Sequence, residues 1–250
     1  MFTWNLTPQA PRRRPGRMTV VIIVATALLM VATAYLLSST HPDARRNGHP
    51  TPTAHPATPA PTGHEVDLSG LTWRDFHGIR LPYSRANGPA HTSHTCARGF
   101  SDTAGGAVFA AVHIGVRANA QWGPSVFEPT IHHQVDGPDK QALLNQTTSA
   151  YENLAAKADI PDGAPIGRAY AVEEAFRVEA FTPQAATVDI VTAGPGDDGT
   201  TARAASRIQL TWGHDDWRVL APPGGDWGAT AHTVDDIDGY RPFGDEQGGE

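Results

Sequence analysis

The sequence predicts an α+β protein: a single N-terminal transmembrane helix, then a cone-like extracytoplasmic domain with helices packed on a curved antiparallel sheet. Three observations predict it. An uncharged apolar run, MTVVIIVATALLMVATAYLL, fills Met18 to Leu37. Helical periodicity dominates the first part of the chain beyond a proline-rich stretch, and period-two alternation dominates the second. Helices followed by strands in blocks, not alternating with them, segregate to one face of an antiparallel sheet.

The apolar run is long enough to cross a hydrocarbon core of about 30 Å as a helix. Its Val and Ile content does not argue for a strand, because in lipid only a helix keeps its backbone hydrogen bonds internal. Arg12, Arg13, Arg14 and Arg17 stand on its amino side, against Arg45 and Arg46 offset by Asp43 on the other. Positive charge stays in the cytoplasm. Residues 1–17 therefore read as a cytoplasmic basic tail, 18–38 as a single-pass transmembrane helix, and the remainder as lying outside the cell membrane. Ala32-Thr33-Ala34 offers small residues for a signal peptidase, but the apolar run continues through Leu37 and favours a retained anchor.

Residues 39–65, with HPTPTAHPATPAPTG inside them, have few large apolar side chains and many prolines. They read as a disordered stalk, extended at about 3.1 Å per residue where polyproline geometry holds. Residues 66–243 form the folded domain and 244–250 a frayed acidic tail. With 250 residues in all, the chain supports one sizeable core plus tails.

Within the domain, Val66 to Ser84 mixes large apolar residues with turn formers and reads as an irregular arm. Thr103 is placed to cap the helix AGGAVFAAVHIGVRA, whose Val108, Ala111, Val112 and Gly115 share one stripe. Its alanines and glycines predict close packing against something flat. A short helix is expected from Pro129 to Val135. Pro138 is expected to start a longer one carrying Leu143, Leu144, Tyr151, Leu154 and Ala155. Beyond IPDGAPIG, YAVEEAFRVEAF puts Tyr170, Val172, Phe176 and Val178 on one strand face and Glu173, Arg177 and Glu179 on the other. ATVDIVTA and ARAASRIQLTW repeat the alternation. Trp227, Tyr240 and Phe243 are expected to dock from the C-terminal segment.

The net charge is -7, and -11 once the four N-terminal arginines are set aside. Such a surface repels phosphate backbones, which excludes direct nucleic-acid binding by the domain. Cys96 is the only cysteine, so no intrachain disulfide forms; it reads as a buried thiol.

Few residue clusters suggest chemistry. His214-Asp215-Asp216 sits between Trp212 and Trp217 and reads as a hairpin turn, since consecutive residues on a tight loop do not converge on one ion. His91, His94 and Cys96 are zinc-ligand types, but no second pair stands at zinc-motif distance. His132 and His133 point to different sides of a helix, one toward any space between helices and sheet. Among the strand carboxylates, parity turns Glu173 and Asp189 outward and Glu174 inward with Phe176. No nucleophile elbow, phosphate-binding loop or dinucleotide fingerprint is present. The expectation is a non-enzymatic protein with no catalytic, cofactor-binding or metal-binding residues. Trp73, Tyr83, Trp122 and Phe127 belong to core or interface.

A stalked anchor, then GFSDTAGGAVFAAV, KQALLNQTTSAYENLA and RIQLTWGHDDWRVL, resembles extracytoplasmic proteins of actinobacterial conjugative elements. Their domains are similar to the cystatin-like or nuclear-transport-factor-two-like cone of bitopic scaffold subunits in type IV secretion and conjugation machines. The resemblance covers Gly99 to Leu220 and the anchor; Ala104 departs from it, standing where proline is expected. It implies a membrane-anchored scaffold or assembly component of a DNA-transfer apparatus. Its partners would be other membrane and channel subunits, further copies of itself and the bilayer through residues 18–38, with no direct nucleic acid. The alternative is an extracytoplasmic small-molecule-binding or catalytic cone domain, which requires an enclosed pocket with a convergent polar group such as Glu174 or His132. A tethered regulator is a third class, but seventeen cytoplasmic residues leave no room for a folded signalling domain.

Overall fold

The structure, a computed structural model, describes residues 65–196 and 199–244. The expected cytoplasmic tail, transmembrane helix, stalk up to residue 64 and acidic tail from residue 245 lie outside the described residues. Among the described residues no helix is long and apolar enough to cross a membrane.

The chain from Val66 enters not as an irregular arm but as a β-hairpin, β1 (Thr72–Phe76) and β2 (Ile79–Tyr83), in antiparallel register. His77 and Gly78 make its two-residue turn, both at positive φ, as the turn that matches strand twist requires. The unread signal was the X-Gly pair between two short apolar runs. A smaller hairpin follows, β3 (His91–Thr92) with β4 (Ala97–Arg98).

Helix α1 (Ala104–Arg117) begins as expected, with the Thr103 hydroxyl accepting from the Gly106 amide at 3.1 Å. It is buried almost all round, and its small residues set the packing distance. A Cβ on Gly105 would lie 2.1 Å from Asn87 Oδ1, and one on Gly106 would lie 1.8 Å from the Ser101 carbonyl oxygen. Helix α2 (Pro124–Gln134) starts five residues earlier than periodicity suggested, with Pro124 in its first turn and Pro129 inside it. An early start is stable because Val126 and Phe127 bury completely. Helix α3 (Lys140–Ala158) starts two residues after Pro138, which precedes the cap instead of opening the first turn.

The remaining strands are β5 (Val135–Asp136), β6 (Val172–Thr182), β7 (Ala185–Pro195), β8 (Thr201–Gly213), β9 (Asp216–Leu220), β10 (Ala231–Val234) and β11 (Arg241–Pro242). They form one sheet in the order β11-β6-β7-β8-β9-β5, antiparallel except for β5 against β9. The long β8 pairs with β9 near its C-terminal end and with β10 near its N-terminal end. The expected α+β architecture is therefore present, with α1 packed along β6 to β9 and α3 against α2.

The inner sheet face carries Phe176, Val178, Val188, Ile190 and Ile208 into the core beside the α1 residues. The outer face carries Ala175, Val191 and Ala205, covered by Val234, Ile237 and Tyr240. Of the expected tail aromatics, Phe243 docks fully, 4.8 Å from the Phe176 ring centroid, while Tyr240 and Trp227 are partly buried.

One expectation fails inside β6. Its register with β7 shifts between Glu173 and Ala175 and again between Val178 and Ala180. The first shift is a bulge with Glu174 as the extra residue, and a one-residue offset reverses every side chain before it. Glu173 is therefore buried, Glu174 faces out, and Tyr170 and Val172 are exposed instead of lying in the core.

Candidate functional site: a cavity between the helices and the sheet

A cavity of about 380 Å³ lies between α1, α3 and the inner faces of β6, β7 and β8. Small side chains open it. Ala111 and Gly115 on α1, Ala150 on α3, and Ala193, Ala204 and Ser206 on the sheet stand where larger residues would fill the space. A Cβ on Gly115 would meet only Ile208 Cδ1, at 3.7 Å. Trp122, at the end of a 3-10 turn (Ala120–Trp122), makes a wall and is fixed by its indole N–H donating to the Val116 carbonyl at 2.6 Å.

The bulge in β6 delivers Glu173 to this mostly apolar space. Its carboxylate accepts from the Thr192 hydroxyl at 2.8 Å, and Thr192 lies directly opposite it on β7. Glu173 is 6% exposed. Burial pushes its pKa up to about 7, partly restrained by the Thr192 hydrogen bond. Loss of hydration disfavours the charged form, and no basic side chain is placed to compensate.

Gln121 also belongs to the lining. Its Nε2 donates to the Gly167 carbonyl at 3.2 Å, while its Oε1 is buried without a hydrogen-bond partner. Polar atoms in that state are uncommon in protein interiors, because each forfeits its bonds to water. The lining thus presents one carboxyl among alanines, glycines, aliphatic side chains and neutral polar groups such as Thr147 and Ser206.

A carboxyl with a pKa of about 7 exchanges its proton at neutral pH, as a general acid or base does. The lining contains no histidine, cysteine or second carboxylate to share such a reaction with it.

The residues singled out from sequence fall elsewhere. His132 and His133 are both exposed, so neither faces the cavity. Glu174 accepts from Arg203 Nε at 2.7 Å and Nη2 at 3.1 Å. Asp189 faces outward as expected yet is completely covered, accepting from Arg207 Nε at 2.8 Å and Arg177 Nη2 at 3.0 Å. His94 lies with Nδ1 3.4 Å from His77 Nε2, apart from the zinc-like grouping with His91 and Cys96. Cys96 is half-buried, less than expected, and its sulfur accepts from Arg98 Nε at 2.9 Å. Among the described residues no three His, Cys, Asp or Glu side chains converge to hold a metal.

The WGHDDW stretch is a hairpin, with His214 and Asp215 in the left-handed turn conformation and the indoles of Trp212 and Trp217 edge to face at 5.3 Å. Asp216 has a structural task that the sequence did not disclose. Its two oxygens accept from the amides of Gly99 at 2.9 Å and Phe100 at 3.2 Å, tying β9 to the approach of α1. Trp73 is half-buried, and Tyr83, Trp122 and Phe127 are buried in the core.

Sequence reasoning missed Glu173 and Gln121. A usable signal for the carboxyl was present in Val172-Glu173-Glu174-Ala175: two adjacent acids in a strand face opposite sides, so one of them turns inward in either register.

No curated protein and no solved structure matches the chain. A family model does match, over residues 35–242, and is described as a domain of unknown function, DUF8175. The match takes in every strand and helix described above, and the chain belongs to this family.

Proposed function

We propose that the domain binds a small, mostly apolar molecule in the cavity beneath α1 and α3, presented outside the cell membrane by the N-terminal anchor and stalk. The observation that carries this is an ungrouted space of about 380 Å³ with a buried carboxyl at its wall. That volume falls in the usual range of ligand sites, roughly 300–1,000 Å³. Packing alone does not account for the carboxyl, since an apolar side chain at Glu173 would avoid its desolvation. The reading is of binding without catalysis, in keeping with the lining's single acid.

The test uses the full chain in lipid nanodiscs, titrated with 8-bromooctan-1-ol while tryptophan emission is followed. Trp122 and Trp227 line the cavity, so a bromine inside it quenches them on contact. Saturable quenching that is lost in Ala204→Leu supports the reading. Quenching that is absent, or equal in that variant, removes it.

A second reading is an assembly component of a conjugative DNA-transfer apparatus, meeting channel subunits or copies of itself. What favours it is the exposure of Tyr170 at 60% and Val172 at 41%, the exposed large hydrophobics of the described residues, close together at the start of β6. Capture of transfer-machine subunits by the tagged chain from native membranes, lost on Tyr170→Ser with Val172→Ser, is its expected signature. Capture unchanged by the substitutions would detach it from this surface.

A further inference from the structure

The buried charge of the cavity wall is one-sided. Glu173 is its buried acid and already accepts from the Thr192 hydroxyl, while the other polar side chains of the lining, Thr147 and Ser206 among them, are neutral apart from exposed Lys157. The titratable groups of the lining are Glu173, Tyr170 and Lys157, and the last two are exposed. No cation of the chain therefore neutralises the interior carboxylate.

We infer that the occupant is a small alkylammonium, its cationic head on Glu173 and its hydrocarbon against the alanine, glycine and tryptophan walls. The inference rests on the ligand-binding reading above and specifies the chemistry of the ligand. An ammonium brings three donors and a positive charge to the carboxylate. It loses hydration on entry, a cost of several kcal/mol for an ion in a protein interior. Here the carboxylate partner is already desolvated by the fold, so only one of the two ions is stripped on binding, and the hydrophobic tail adds burial. A fatty acid fits worse: Lys157 at the rim would hold its head outside, leaving its tail against an ionised carboxyl.

The occupant's own charge links binding to the ionisation of Glu173. Below its pKa the carboxyl is neutral and loses its attraction for a cation; above it the attraction is complete. An alkylammonium stays protonated throughout, with a pKa near that of lysine, about 10.4.

The experiment compares n-hexylamine, n-hexanol and hexanoate as probes of the full chain in nanodiscs, reading apparent affinity from the shift of the unfolding midpoint at pH 6 and pH 8. The expected result is hexylamine binding at least tenfold tighter than hexanol at pH 8, with the preference shrinking at pH 6. Glu173→Gln is expected to abolish the preference while keeping hexanol binding, which also shows that the variant folds. Equal affinities for amine and alcohol, tightest binding of hexanoate, or an amine preference that survives Glu173→Gln would overturn the inference and leave the cavity a binding site. Failure of all three probes to bind would remove the binding reading itself.

Discussion

Glu173 and Thr192 face each other across β6 and β7, and the Thr192 hydroxyl donates to the buried Glu173 carboxylate at 2.8 Å. The sheet thus holds the acid in one orientation while burial works against its charge. The pKa of about 7 records the balance between these two influences.

That balance makes folding depend on pH with a definite sign. An unfolded glutamate ionises near 4.5 and the folded one near 7, so as pH rises through this window the unfolded chain releases its proton first. This contribution to stability is fully present below about 4.5, falls across the window and is flat above it. Glu173→Gln removes the ionisable group and keeps an acceptor for Thr192. We expect it to raise stability at pH 8 by up to roughly 3 kcal/mol and to change little at pH 4. Urea unfolding at the two pH values measures this; a loss of stability at pH 8 would contradict the burial account.

His113 acts in the opposite direction. It is buried on α1, its Nε2 is 2.7 Å from the Pro82 carbonyl oxygen, and Arg117 Nη1 lies 3.1 Å from its Nδ1. The neutral tautomer with the proton on Nε2 satisfies both contacts. Burial, aided by the Arg117 charge, pushes its pKa down to about 3. The unfolded histidine takes up a proton near 6.5, so stability is lost as pH falls from there toward 3. His113→Gln, which retains a donor toward Pro82, should flatten the acid limb of the stability curve. An unchanged limb would assign acid unfolding to other groups.

Gly115 is the simplest lever on the cavity. Its backbone is helical, and an added methyl group meets only Ile208 Cδ1 at ordinary contact distance, 3.7 Å. Gly115→Ala should therefore raise stability by about 0.5–1 kcal/mol through helix propensity while narrowing the site. Thermal unfolding and probe affinity should move in opposite directions.

Outside the sheet, Asp189 holds two arginines together. Its carboxylate accepts from Arg177 and Arg207, Glu179 bridges the same pair, and the Tyr240 ring lies 4.5 Å from the Arg177 guanidinium carbon. Asp189→Ala leaves Arg177 and Arg207, both partly exposed, held together by Glu179 alone. The expected cost is about 1–2 kcal/mol, less than for a fully buried pair because both guanidiniums keep part of their hydration. A cost under about 1 kcal/mol would place the network with ordinary surface pairs.

The layout of helices and strands was legible because burial imposes periods that survive in sequence. Thr103 and the small-residue helix behind it, and the Trp212 and Trp217 hairpin, could be read locally since each is fixed by neighbours within a few residues. Glu173 could not. Its position depends on a pairing with β7 some twenty residues away, and a strand's sequence alternation carries no mark of where its partner slips. The cavity was hidden for a related reason: alanines and glycines from α1, α3, β7 and β8 create space only when brought opposite one another. Gln121 is invisible for want of a donor that only the folded chain can fail to provide.

The bulge at Glu174 also bears on how the chain tolerates length changes. With the bulge, Glu173 occupies the interior and Glu174 meets Arg203; in a straight strand paired in register from Phe176 onward, the two acids would exchange sides. Deleting Glu174 would straighten β6 and still leave Glu173 facing inward. An acid therefore remains inside across either alignment of this segment, so the cavity's carboxyl can outlast a one-residue insertion or deletion that would turn most other strand positions inside out.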